Sequence, residues 1–192
     1  HGLPTDAGFE FTTGNSVKAA SPSAATHTYY RRGRAALLSR IDSIIQQENI
    51  SLLTQASAIA ELADWYLIFG QRQQAGSAYQ VAFDTLKSEE ISDQERDEFF
   101  ALPRKIDFPF DESLRPIGDS NLEVSLWITE TGRARDIEIL NPPDDLTKED
   151  WKTVRSGLMK TRFRPRLIER LPEAIAHTLL YPIPKRDVSE QG

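Results

Sequence analysis

Arg162, Arg164 and Arg166 occupy alternate positions around Phe163 and Pro165, in the stretch MKTRFRPRLIERLPEAIAHTLLYPI (Met159–Ile183). A guanidinium is a rigid fork of donors that matches carboxylate and phosphate oxygens. The pattern therefore suits a nucleic-acid patch, an anion site, or one face of a small sheet whose cations lie in water. The net charge of -6 argues against general phosphate binding, because affinity for nucleic acid comes mainly from neutralising phosphates. There is also no broad basic field interleaved with aromatic residues. Nucleic acid is not an expected partner. The arginines are left as a solvated strand face, with Glu123 on a neighbouring strand as a counter-charge, or as a contact for an acidic partner or anionic surface.

The other residues able to do chemistry are few. His1, His27 and His177 are the only histidines, and there is no cysteine. That removes thiol nucleophiles, disulfides and cysteine-ligated metals. His177 has no Asp, Glu or His near it at ligand spacing, so it reads as a surface or half-buried strand residue. No nucleophile elbow, phosphate loop or paired-histidine helix is present. The acidic run SEEISDQERDE (Ser88–Glu98) reads as a helix cap with a solvated face. The expectation is a non-enzymatic chain with no metal or cofactor site. No apolar run reaches the roughly 18 residues that a membrane span needs. The sequence starts at His1 rather than methionine, as a processed or partial chain would.

The elements that must position these residues fall into two groups. Residues 1–27 read as an irregular arm or linker, in which GFEFTTGNSV (Gly8–Val17) could lie on a domain as a short strand. From Tyr29 the apolar period is helical: Leu37, Leu38, Ile41, Ile44 and Ile45, then Ile59, Leu62, Ala63 and Tyr66 up to Gly70, then Ala75, Tyr79, Ala82, Phe83 and Leu86. Ser92 with Glu95 forms a capping box for a short helix to Ala101. The helical part is expected over 28–101, followed by a proline-rich connector over 102–119. The period then becomes two. Leu122, Val124, Leu126 and Ile128 alternate with polar residues or Trp127, Gly132 marks a turn, and Arg133–Leu140 reads as the return strand. Thr147 with Asp150 opens a helix carrying Trp151, Val154 and Leu158. An extended RFRPRLI, a turn near Leu171-Pro172 and a last strand from about Glu173 follow. The order is β-β-α-β, an α+β domain over 120–184 with a tail over 185–192.

Two resemblances add to this reading. LADWYLIFGQRQQAGSAYQVAF (Leu62–Phe83) resembles one tetratricopeptide (TPR) repeat, with Leu62, Ala63, Tyr66, Gly70, Ala75, Tyr79 and Ala82 at consensus spacing. Ile59 stands at the consensus tryptophan and Lys87 at the closing proline. LEVSLWITETGRARDIEIL (Leu122–Leu140), the helix ending in MKTRFRPRL and the final strand resemble the C-terminal domain of TonB-family energy transducers. That resemblance implies a periplasmic, envelope-located module whose last strand is an edge. A partner's extended peptide would add to Ala174, Ile175, Ala176, His177, Thr178, Leu179, Leu180 and Tyr181. It implies a protein or peptide partner, such as an outer-membrane transporter, and allows a homodimer paired through strands. The alternative it implies is a fragment of a TonB-type energy transducer acting on such transporters. The helical segment stands where the family has a membrane helix and a proline-rich spacer. Phe163 and Leu167 are expected to face the core, with the three arginines on the opposite, solvated side.

Overall fold

A computed structural model describes residues 24–47, 49–87, 91–106 and 121–182. The arm GFEFTTGNSV, most of the connector and the tail lie outside the described residues. The chain divides into two compact units, His1–Ile91 and Ser92–Gly192.

The first unit contains α1 (Ala24–Ile45), α2 (Leu52–Ile68) and α3 (Arg72–Thr85). Helix α1 begins earlier than the sequence reading, which started the helical period at Tyr29. Ser51 caps α2, its side chain accepting from the Thr54 N–H at 3.2 Å. Gly70 ends it with φ of 75°. There the Gln71 N–H donates to the Tyr66 carbonyl and the Gly70 N–H to the Leu67 carbonyl, which satisfies the last carbonyls of the helix. Helices α2 and α3 then pack as a hairpin. Ala56, Ala60, Ala63, Ala75, Ala78 and Ala82 are all buried, and these small side chains let the two backbones approach. Leu62, Tyr66 and Tyr79 fill the remaining space. The Tyr79 hydroxyl donates to Asp64 at 2.6 Å, and Arg34 Nε donates to the Tyr66 hydroxyl at 3.0 Å, so the buried phenols keep partners. Helix α1 reaches α2 through Gly33, whose missing side chain is replaced by the Trp65 indole.

The second unit holds α4 (Asp93–Ala101), β1 (Arg104–Ile106), β2 (Asn121–Ile128), β3 (Ala134–Ile139), α5 (Lys148–Lys160), β4 (Arg162–Arg164), β5 (Arg166–Ile168), β6 (Leu171–Glu173) and β7 (Ile175–Pro182). Both capping boxes form, at Ser92/Glu95 and Thr147/Asp150. Helix α4, grouped by sequence with the helical part, belongs to this unit and packs against β5. Its pattern alone could not decide this, because nine residues with one buried phenylalanine, Phe100, fit either side.

Among the described residues, four antiparallel pairings build three sheets. The main sheet has the order β3-β2-β7, β1 pairs with β4, and β5 pairs with β6. Central β2 sends Leu122, Val124, Leu126 and Ile128 into the core with Ala134, Ile137, Val154, Leu158, Phe163 and Tyr181. A bulge in β3 opposite Leu126 places Asp136 at φ of 45° and restores the inward direction of Ile137. At the hairpin turn Gly132 has φ of 67°, and its N–H donates to the Thr129 carbonyl at 2.8 Å.

The stretch after α5 departs from the sequence reading. RFRPRLI is extended, but it forms two short strands either side of Pro165 with different partners, β4 with β1 and β5 with β6. The turn sits at Glu169-Arg170, and Leu171–Glu173 is strand β6 rather than turn and strand start. Leu167 and Phe163 are buried as expected.

Candidate partner-binding edge

Strand β7 pairs with β2 through eight consecutive registered positions without a bulge, from Asn121↔Pro182 to Ile128↔Ile175. Among the described residues no strand lies on its other side. Of the residues assigned to this edge, Ala174 precedes the strand, which begins at Ile175.

The direction of each backbone group follows from one hydrogen bond. The Leu140 N–H donates to the Glu123 carbonyl at 2.9 Å, so Glu123 turns its backbone polar groups towards β3. Within a strand these groups alternate sides from residue to residue. Leu122, Val124, Leu126 and Ile128 therefore address β7 and exchange bonds with Tyr181, Leu179, His177 and Ile175. The N–H and C=O groups of Ala176, Thr178 and Leu180 point the other way, along the outer edge. Pro182 adds a carbonyl but no donor, so donor capacity ends there. An edge strand with outward donors and acceptors is a template for another strand.

Side chains divide by the same period. Ile175, His177, Leu179 and Tyr181 lie on the inner face opposite the apolar residues of β2. Ala176, Thr178 and Leu180 are exposed on the outer face, where Trp127 also lies, paired with Ala176. Burial falls off across the sheet. The inner residues of β2 are closed off from solvent, whereas Ile175, His177 and Leu179 are only half-buried. Helix α5 packs over β3, on the far side of β2 from β7. Burial holds the His177 imidazole below its ordinary pKa and the Tyr181 phenol above its own, since losing water disfavours the charged form of each.

The arginines are not a solvated ladder. Arg164 is buried at 4% exposure, and its guanidinium lies 6.0 Å from the centre of the Phe99 ring, a cation–π contact with α4. Arg162 turns back to α5, donating to the Lys160 and Thr161 carbonyls at 3.1 and 3.2 Å. A cation there complements the negative end of the helix. Arg166 has a buried Nε atom. Pro165 sets Arg166, in β5, apart from Arg162 and Arg164, which stand two residues apart in β4. Glu123 is not their counter-charge. It accepts from Asn141 at 2.8 Å, and β4 pairs with β1 instead of β2.

Among the described residues, no cluster of three or more His, Cys, Asp or Glu could hold a metal ion, and no helix is long and apolar enough to cross a membrane. What sequence reasoning missed at the edge is the division between residues that bond β2 and those that bond outward. The I-x-H-x-L-x-Y alternation of the strand was its visible signal. No protein-family model matches the chain, and no curated protein is significantly similar to it.

Proposed function

We propose that this chain is a non-enzymatic, TonB-like interaction module of the cell envelope that binds a protein partner by adding the partner's strand to the outer edge of β7. One observation carries the proposal: Ala176, Thr178 and Leu180 direct their N–H and C=O groups away from β2, with no described strand opposite. An incoming extended segment would satisfy these groups with main-chain hydrogen bonds, while alternate side chains set specificity. The periplasmic location and the choice of an outer-membrane transporter as partner rest on the sequence resemblance.

The test is an amide-shift NMR titration with a peptide taken from the TonB-binding segment of an outer-membrane transporter. The expected result is shifts concentrated at Ile175–Tyr181, lost in Thr178→Pro. That variant removes one outward donor and leaves the β2 ladder whole. Absence of shifts in the parent chain, or shifts unchanged in the variant, would overturn the proposal. A second copy of the chain could compete for the same edge, so the titration belongs at a protein concentration where sedimentation shows monomer.

A further inference from the structure

The strand that β7 accepts has a definite chemistry, and this inference rests on the strand-addition reading. In an added antiparallel strand, residues opposite Ala176, Thr178 and Leu180 form the hydrogen-bonded pairs, and their side chains lie on the outer face. Residues opposite His177 and Leu179 form the closer non-hydrogen-bonded pairs, with Cα atoms about 4.5 Å apart. Their side chains point to the inner face. There they meet Ile175, His177 and Leu179, the half-buried side chains at which the core thins out.

We infer that the partner segment is amphipathic at period two, with aliphatic side chains at the alternate positions facing His177 and Leu179 and polar side chains facing Thr178. It extends the apolar core by one strand. Backbone pairing alone would accept any extended sequence, since every residue except proline brings the same N–H and C=O. The thinning core makes the site selective. An inward aliphatic side chain buries itself and covers Leu179, whereas an inward polar one would leave its own polar atoms without water. The outer face imposes no such demand, because Ala176, Thr178 and Leu180 stand in solvent there.

Three lysine-flanked peptides of equal length test this against the full chain. One alternates Val and Thr, one has the same composition in two blocks, and one alternates Ser and Thr. Binding is read from amide shifts at Ala176, Thr178 and Leu180. The alternating Val/Thr peptide is expected to bind about tenfold more tightly than either of the others, the change that burying one aliphatic side chain gives. His177→Val, which enlarges the apolar ledge, is expected to widen that difference. Equal binding by all three peptides, abolished by Thr178→Pro, would overturn this inference and leave strand addition standing. No binding by any peptide would overturn both.

Discussion

Replacing single residues of β7 by proline separates its two sides. Thr178 directs its N–H outward, and proline is tolerated on an edge strand where the lost donor faced solvent. Leu179 directs its N–H to the Val124 carbonyl. Leu179→Pro deletes that bond and leaves a carbonyl of a fully buried residue without its partner. The lost bond costs about 1 kcal/mol and the stranded acceptor about 1–3 kcal/mol, so Leu179→Pro should destabilise the second unit by roughly 2–4 kcal/mol. For a unit of this size that lowers the melting temperature by roughly 10–20 °C. Thr178→Pro should cost less than about 1 kcal/mol. Thermal melts followed by circular dichroism, with urea midpoints as a check, measure both. Equal losses, or a larger loss for Thr178→Pro, would mean that the assignment of inward and outward donors is wrong, and the proposed edge would fall with it.

Three further outcomes are expected. The hairpin β5–β6 turns on Glu169 and Arg170, both left-handed with φ of 47° and 76°. Glu169→Asn with Arg170→Gly should therefore stabilise the second unit by about 1–2 kcal/mol in urea titration, because these residues suit a two-residue turn with both φ values positive. In the first unit, a side chain on Gly33 would sit 2.1 Å from the Trp65 ring. Gly33→Ala should lose about 1–2 kcal/mol in a melt, overpacking outweighing its gain in helix propensity. His177 has a folded pKa below its ordinary 6.5, so the unfolded chain binds more protons in that range and stability rises with pH. The stability is fully present above pH 6.5 and is lost as pH falls towards and through the folded value. His177→Gln should remove that part of the slope when urea midpoints at pH 7.5 and 5.5 are compared.

Local signals were legible in the sequence, and those that depend on distant partners were not. Ser92/Glu95 and Thr147/Asp150 could be recognised because a capping box needs only residues three apart. Leu122 to Ile128 announced a half-buried strand through strict alternation, and Gly70 and Gly132 marked positive φ. The turn at Glu169-Arg170 carried no signal, since neither residue is a usual left-handed former. The burial of Arg164 depends on Phe99, far away in sequence, and a cation is a poor sequence cue for a buried position. The bulge at Asp136 hid behind an ordinary-looking strand, and the close approach of Gly33 to Trp65 joins two helices that give no hint of it separately. At the edge, the strand itself could be read, but the sense of its hydrogen bonds needed the register with β2 and the bond from Leu140 to Glu123.

The ladder between β2 and β7 joins positions as far apart as Asn121 and Pro182. The neighbouring hairpin β2–β3 closes over the short turn at Thr129–Arg133. Chain entropy favours the short closure, so the hairpin is expected to form before β7 arrives, an order that pulsed hydrogen exchange during refolding would check. The strand that offers the outer edge is then a late arrival, held by one ladder and a thinning apolar face. Its amides should exchange with solvent more readily than those of β2, and a strand added outside it would raise their protection by flanking β7 on both sides.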